Sequence, residues 1–278
     1  MGSFHRPQAE PRILPDRMAV LEKFASCISI IMPAWNAAQT IGESIASVLA
    51  QDDEGWELLI VDDGSDDATA AIASAAASSD ARIRLLSHPV SHGPAAARNT
   101  AIEAARGRYI AFLDADDLWL PGKLSCQRTA MKTSGAAVVA GGYRRMSEDG
   151  SLVGRLILPA EHITLRRAKW SNPIGTLTAM VDREQVTDVR MPSFYYDDYA
   201  LWIEILRAGH HVIGVQEDMA RYRIGWNTVS GSKIRRLPDA WQAMRTGHST
   251  VAGTVPAFAW YATRGLRDLI RHRPHRPA

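Results

Sequence analysis

The chain has 278 residues, of which 46% are hydrophobic and 22% are charged. This length and apolar content suffice for an ordinary globular core, which excludes a disordered or fibrous protein. The formal net charge of +2 gives no general attraction to nucleic acid, so we expect no nucleic-acid partner. Two cysteines, Cys27 and Cys126, do not form a disulfide framework, and their number favours a reducing cytoplasmic compartment.

Residues 1–25 contain prolines and charges without a hydrophobic period, which predicts a flexible arm that precedes the folded domain. This stretch lacks the apolar core of a signal peptide. No window of the sequence approaches the roughly 20 apolar residues of a membrane span. These features predict a cytoplasmic protein.

From Cys27 onward, short apolar runs alternate with helical patterns. The runs CISIIM, WELLIV, IRLL and YIAFL are typical of buried strands, and amphipathic or alanine-rich helical segments separate them. Strands without polar alternation suit a mostly parallel sheet that helices cover on both faces. The first half is therefore predicted to be a doubly wound, Rossmann-like α/β structure.

The second half has a less regular pattern. AAVVAGGY and LVGRLIL flank the turn sequence SEDGS, which predicts a hairpin, and YALWIEILRAG predicts a helix that ends at Gly209. HVIGV follows as a strand, and the chain finishes with a basic helical segment. We expect a mixed half fused to the same sheet, followed by C-terminal helices.

Polar residues at the carboxyl ends of the strands are the candidates for ligand binding, because open α/β sheets bind ligands there. The first strand leads into Pro33 and Asn36, and the second into Asp62 and Asp63. Asp, Gly and Ser are also common in turns and helix caps, so a purely structural role for VDDGSDDAT stays open.

The run YIAFL ends in Asp114, Ala115, Asp116 and Asp117. Three carboxylates at one strand end repel each other unless a cation compensates them, and Mg2+ or Mn2+ prefers such oxygen ligands. The alternative is that these aspartates cap the next helix, near PGKL.

Two further segments carry candidate charges. In HGPAAARN, a helix starts after Gly93, and Arg98 either neutralises the acidic cluster or lies on the surface. In FYYDDYALWIEIL, Asp197 and Asp198 begin a helix. They either cap that helix or supply a general base for an acceptor hydroxyl.

Taken in order, PAWN, VDDGSDDAT, HGPAAARN, GRYIAFLDADDLWLPGKL and YDDYALW resemble the family 2 glycosyltransferases with the GT-A fold. The resemblance covers about residues 27–225 and is strongest through Leu124. It implies inverting transfer of a sugar from a nucleotide diphosphate sugar, most often a UDP-sugar, with divalent Mn2+ or Mg2+. It divides the chain into a nucleotide-sugar-binding half, 26–124, an acceptor half, 125–225, and a helical extension, 226–278.

The resemblance also assigns roles in binding the nucleotide. It implies that Pro33 and Asp63 contact the base, with the Asp63 carboxylate accepting a hydrogen bond from the uracil N3–H. Asp62 and Asn36 support them.

The D-x-D motif of the family matches Asp114 and Asp116, with Asp114 near the ribose and Asp116 on the metal. Both are candidate metal ligands. Ala115, Asp117 and Arg98 belong to the same donor site.

On the acceptor side, the resemblance favours Asp198 as the catalytic base, although Asp197 stands where the family more often has Glu. The choice between the two stays open. Arg223 and Ser230, in YRIGWNTVS, are further candidates near the diphosphate.

Proteins that resemble this chain often extend surface polysaccharides, so the expected acceptor is a saccharide or lipid-linked saccharide of the bacterial envelope. The basic C-terminal segment either docks on the protein or contacts an anionic membrane from the inner face. A sugar-phosphate nucleotidyltransferase is the rival enzyme, but PAWNAAQT is not the glycine-rich phosphate loop that it needs. A non-catalytic sugar-nucleotide-binding or scaffold protein of the same fold is the second alternative.

Overall fold

The computed structural model describes residues 26–193, 196–224, 237–248 and 250–271. The predicted arm, 1–25, and Ser230 lie outside the described residues. The predicted division of the chain into a donor half, an acceptor half and an extension stays a prediction.

Alternating strands and helices build the first half. They are β1 (Ile28–Ala34), α1 (Ile41–Leu49), β2 (Trp56–Asp63), α2 (Thr69–Ser79), β3 (Ile83–His88), α3 (Pro94–Ala104) and β4 (Tyr109–Phe112). The four strands pair in parallel, with β1 between β2 and β4 and with β3 beyond β2. Every residue of β2 is buried, which explains its continuous apolar run.

Helices cover both faces of this sheet. On one face, Ile30 and Met32 of β1 pack with residues of α1, including Ile41. On the other face, Ile31 packs with α3 residues such as Ala97. The predicted doubly wound arrangement is confirmed.

The second half adds strands of both directions. Its elements are β5 (Leu118–Trp119), α4 (Lys123–Ser134), β6 (Val138–Ser147), β7 (Val153–Ile157), α5 (Leu165–Ala168), a 3-10 turn (Thr176–Thr178), β8 (Met180–Asp182), α6 (Asp197–Arg207) and β9 (Val212–Ile224). The strand order within the described residues is β3-β2-β1-β4-β8-β6-β9-β5, with β7 paired to β6. Since β8 is antiparallel to β4 and β6 while β9 is parallel to β6, the expected mixed half is present.

Helix α6 packs against the same face of the sheet as α3. Its Trp202 is fully buried and meets Phe112 of β4 edge-to-face at 6.0 Å between ring centroids. Gly209, with φ of 85°, follows the helix as the sequence predicted. This packing holds the first turn of α6 beside the carboxyl end of β4.

Two helices, α7 (Leu237–Gly247) and α8 (Val251–Arg271), complete the described chain and confirm the predicted C-terminal helices. Ala243 and Met244 of α7 and Ala257 of α8 belong to the same core as Trp202. Among the helices that the structure describes, none combines the length and apolar character that crossing a bilayer requires.

Candidate active site

The ends of β1, β2 and β4 form one edge of the sheet, where the sequence placed the ligand site. The register sets Ala34 beside Asp62, and the Leu113 amide donates to the Ile31 carbonyl at 3.0 Å. The segments that follow these strands therefore lie side by side.

Asn36 joins the segments after β1 and β2. Its side-chain Oδ1 accepts from the Asp66 amide at 3.0 Å, and its own amide donates to the Ser65 hydroxyl at 3.0 Å. Its φ of 48° lies in the left-handed region, which Asn tolerates better than most residues. Asn36 thus shapes the rim of the site next to Pro33.

Asp63 is buried, and protein donors occupy both of its carboxylate oxygens. His88 Nδ1 lies 2.6 Å from Oδ1, while the Ser91 hydroxyl and the Gly93 amide donate to Oδ2 at 2.7 and 2.8 Å. Burial alone would raise the pKa of Asp63, but these bonds and the His92 amide outweigh it and hold the pKa below its usual value. Asp63 therefore organises the segment before α3, and its predicted contact with the base stays a prediction.

Asp62 behaves differently from its neighbour. The residue is only 5% exposed, and its Oδ1 has no hydrogen-bond partner among the described residues. A buried oxygen without a donor costs free energy, so Asp62 Oδ1 is an unsatisfied acceptor at this edge of the sheet.

The acidic cluster follows β4. Ligand oxygens of Asp114, Asp116 and Asp117 all lie within 4.8 Å of one another. Burial, followed by the Asp114 charge, raises the pKa of Asp116 to about 6, and burial raises the pKa of Asp117 well above its usual value. Three crowded carboxylates, two of which have a raised pKa, are a donor set suited to a hard divalent cation.

The neighbouring backbone holds this cluster in place. The Ala115 carbonyl accepts from the Ser44 hydroxyl at 2.9 Å, and Asp117 Oδ1 accepts from the Arg223 amide at 2.8 Å. The alternative that these aspartates cap the next helix is wrong, because α4 begins at Lys123 and its N-cap is Gly122.

Arg223 holds the backbone of the acidic cluster in position. Its guanidinium donates to the carbonyls of Asp116 and Glu148 at 2.7 and 2.5 Å and to the Glu43 carboxylate at 2.6 Å. Since all three guanidinium nitrogens have protein partners, the contacts give Arg223 the role of positioning the D-x-D segment.

Arg98 connects the two halves of the site. Its Nη2 lies 2.7 Å from Asp114 Oδ1, and its Nη1 lies 3.1 Å from Asp197 Oδ2. Burial opposes its charge, but the carboxylates of Asp114 and Asp197 dominate and raise its pKa above the usual value. The alternative of a surface arginine is wrong, because Arg98 is only 8% exposed and forms an ion pair with Asp114 of the acidic cluster.

Asp197 and Asp198 occupy the first turn of α6, where the helix dipole favours negative charge. The N-cap is Tyr196, so neither aspartate is the capping residue. Asp197 is buried against Arg98, and burial is the main reason that its pKa is raised. Asp198 is partly exposed and accepts from Thr176 Oγ1 and Asn172 Nδ2 at 2.5 and 3.2 Å.

No sequence motif indicated Asn172 or Thr176 as site residues. Asn172 lies in an irregular segment and Thr176 begins the 3-10 turn; both are more than 20 residues before Asp198 and belong to none of the motifs. Only the path of the chain between α5 and β8 brings them to the carboxylate.

The chain matches the family model described as Glycosyl transferase family 2 over residues 29–201. It is 37% identical to the putative teichuronic acid biosynthesis glycosyltransferase TuaG of Bacillus subtilis over 219 residues, 78% of this chain and 87% of TuaG. It is also 37% identical over 218 residues to the UDP-Glc:alpha-D-GlcNAc-diphosphoundecaprenol beta-1,3-glucosyltransferase WfgD of Escherichia coli, covering 78% and 85% of the two chains.

Solved structures of GT-A glycosyltransferases share the fold. The S. aureus TarS 1-349 complex with UDP gives a TM-score of 0.63 at 18% identity, over 87% of this chain and 72% of that one. The mannosyltransferase PcManGT from Pyrobaculum calidifontis, in complex with GDP-Man and Mn2+, gives 0.64 at 19% identity, over 85% and 69%. At these identities the likeness confirms the predicted GT-A fold.

Proposed function

Because the chain belongs to the family 2 glycosyltransferases, we propose that it transfers a sugar from a UDP-sugar to an acceptor hydroxyl with inversion at the anomeric carbon. The observation that carries this proposal is the connection that Arg98 makes between Asp114 on the donor side and Asp197 on the acceptor side. A displacement reaction needs charge stabilisation at the leaving group and a base at the nucleophile. The two sets of carboxylates provide both in one site.

The donor diphosphate is assigned to the acidic cluster. Asp114 and Asp116 would hold a divalent Mn2+ or Mg2+, with Asp117 in support. When bound, this ion would supply the positive charge that stabilises a departing diphosphate. Arg98 holds Asp114, and Arg223 holds the backbone of Asp116, so the ligands are oriented before the donor arrives.

The nucleotide base is assigned to the edge formed by Pro33, Asn36 and Asp62. Asp62 Oδ1, which is buried and lacks a protein donor, would accept an N–H of the base when the groups that cover it shift to admit the ligand, while Asp63 positions the neighbouring segment. Recognition of uracil would satisfy the buried acceptor, which favours a UDP-sugar.

Asp198 is the proposed general base. It is partly exposed, whereas Asp197 is buried and paired with Arg98. Asn172 and Thr176 orient the Asp198 carboxylate, which takes the proton from the acceptor hydroxyl as the new glycosidic bond forms. No covalent enzyme intermediate is required.

The names of the relatives suggest the biological setting. One relative is assigned to teichuronic acid biosynthesis, and another acts on a sugar linked to diphosphoundecaprenol. We therefore place this chain in bacterial cell-envelope glycan synthesis, with a lipid-linked saccharide as acceptor and with work at the inner face of the membrane.

Thermal shift with UDP, GDP, ADP and dTDP, each with and without Mn2+, tests the donor site, since a ligand that binds the folded state raises Tm. We expect a Mn2+-dependent shift for UDP that Asp116→Asn abolishes and the exposed control Glu103→Gln retains. A wild-type protein that responds to none of these pairs would contradict the proposal.

Asp198→Asn tests the base. We expect it to retain the UDP–Mn2+ shift and to lose about 100- to 10,000-fold in sugar transfer, the usual contribution of a general base. Asp198→Asn with near wild-type transfer would move the base to another group. A wild-type protein that binds UDP–Mn2+ but transfers sugar to no saccharide or lipid-linked acceptor would favour the non-catalytic alternative.

A further inference from the structure

We propose that a basic pocket beside α5 binds the phosphate group of the acceptor, one sugar away from the hydroxyl that reacts. This inference rests on the proposed function, because it assumes that the acceptor is a saccharide attached to a phosphate or diphosphate. The pocket lies outside every motif that the sequence analysis singled out.

The pocket has a volume of about 350 Å³ and is lined by Thr164, Arg166, Arg167, Trp170 and Ser171. Two arginines and two hydroxyl-bearing residues line one cavity, and no acidic residue is among its lining residues. Arginine binds phosphate oxygens with paired, charge-assisted hydrogen bonds, and hydroxyls add further donors. This chemistry suits a phosphate or diphosphate.

The two arginines are available to a ligand. Both are exposed, and neither pairs with a carboxylate within the described part of the chain. A second cavity, of about 590 Å³, differs in this respect, since its Arg144 and Arg221 both pair with Asp218. The two arginine charges beside α5 are therefore uncompensated, whereas in the second cavity Asp218 offsets one of the three charges of Arg144, Arg155 and Arg221.

The backbone of the pocket is held from three sides. The Ala168 carbonyl accepts from the Tyr199 hydroxyl, and the Lys169 carbonyl lies 3.0 Å from His248 Nε2. Asn172, next to the lining residue Ser171, donates to Asp198 at 3.2 Å. These contacts fix the backbone of the pocket, so the entropy lost on binding an anion is mainly that of the exposed Arg166 and Arg167 side chains.

The same contacts set the distance to the proposed base. The distance from the Ser171 Cα to the Asp198 carboxylate is at most about 11 Å. This limit is the sum of one Cα–Cα step, the length of the Asn172 side chain and its hydrogen bond to Asp198. The Ser171 side of the pocket is therefore within reach of one pyranose ring whose hydroxyl meets Asp198, and its anomeric phosphate would then lie at the pocket that the exposed Arg166 and Arg167 line. Trp170, which is 42% exposed, offers an apolar surface beside that ring.

The test compares two acceptors in the transfer assay with the full chain, UDP-sugar and Mn2+. One is a pyranosyl diphosphate on a short soluble lipid, and the other is the same pyranose as an alkyl glycoside without phosphate. The pocket variant is Arg166→Gln with Arg167→Gln. The matched control is Lys132→Gln with Arg207→Gln, which removes two positive charges from exposed positions on α4 and the end of α6.

We expect the pocket variant to raise KM for the diphosphate acceptor about 10- to 100-fold, the usual effect of losing charge-assisted bonds, with kcat little changed. Transfer to the phosphate-free acceptor, the UDP–Mn2+ thermal shift and the control variant should stay at wild-type values. An unchanged KM for the diphosphate acceptor, or an equal loss with both acceptors, would overturn the inference.

Vesicles separate the acceptor from membrane lipid as the source of the phosphate. If the pocket variant loses binding to vesicles with anionic headgroups but keeps its KM for the soluble diphosphate acceptor, the pocket binds headgroups and the inference is wrong. Failure of the proposed function is distinct from both results, because the wild-type protein would then show neither the UDP–Mn2+ shift nor transfer.

Discussion

Lys123 places a titratable amine in the core of the protein, and its replacement provides a sharp test of the energetics. The side chain is 1% exposed, its ammonium donates to Gln127 Oε1 at 2.5 Å, and it lies 3.9 Å from the centroid of the Trp119 ring. Burial lowers the pKa of Lys123 to about 7. We expect Lys123→Met, which keeps a long apolar stem, to stabilise the protein at low pH.

The magnitude follows from the change in pKa between the unfolded and folded states. A fall from 10.5 to about 7 corresponds to a cost of about 5 kcal/mol below pH 7, at 1.36 kcal/mol per pKa unit. The unfolded chain holds the proton between pH 7 and 10.5 while the folded chain does not, so this cost declines as pH rises. At pH 9 about 2 kcal/mol remains.

Methionine leaves Gln127 Oε1 without its donor, which costs about 1–3 kcal/mol. The net effect of Lys123→Met is therefore a gain of about 2–4 kcal/mol in the free energy of unfolding at pH 6 and about zero at pH 9.

Urea unfolding of wild type, Lys123→Met and the exposed control Lys132→Met at pH 6 and pH 9 measures this difference. The control should match wild type at both pH values. If Lys123→Met destabilises the protein equally at the two pH values, Lys123 is not a buried charge with a lowered pKa and the reasoning is refuted.

Three further predictions concern the site. Arg98→Gln leaves the buried Asp197 without its ionic partner, so we expect the free energy of unfolding, measured with urea, to fall by about 3–5 kcal/mol. A fall of less than about 1 kcal/mol would contradict the bridging role. Asp63→Asn removes the charged acceptor of the segment before α3 and should lower the free energy of unfolding by about 2–3 kcal/mol. Asp62→Asn should leave stability near wild type and weaken UDP binding in titration calorimetry. Equal effects of the two variants on stability would refute the distinction. The pKa of Asp116 is raised to about 6 in the folded state, so its ionisation destabilises the metal-free protein as pH rises from about 4 to 6. Because Asp116 is partly exposed, we expect the free energy of unfolding of Asp116→Asn in EDTA to gain about 1–2 kcal/mol over wild type across that window. A gain that does not depend on pH would refute this.

The strand pattern of the first half was readable because its information is local. Runs such as WELLIV are buried on both faces, so their hydrophobicity identifies a parallel strand without knowledge of its partners. Since the carboxyl ends of such strands share one edge, the placement of Asp62 and Asp114 at a common site also followed from sequence. The motifs of the family then predicted the GT-A fold and the glycosyltransferase chemistry.

Roles that depend on contacts between distant segments were not readable. Asp62 and Asp63 are adjacent in VDDGSDDAT, yet one has a buried oxygen without a donor and the other is saturated by donors about 25–30 residues away. The motif is the same for both residues, so only the position of the segment before α3 separates them.

Local periodicity and motif order were thus sufficient for the class of fold, the strand ends that carry carboxylates and the family. The tertiary structure decided that Arg98 bridges Asp114 and Asp197, 16 and 99 residues away, and that Asn172 and Thr176 orient Asp198. The physical reason is that hydrophobic patterning specifies which face of each element is buried. The partner of a buried charge depends instead on how α3, α6 and the segment after α5 pack against the completed sheet.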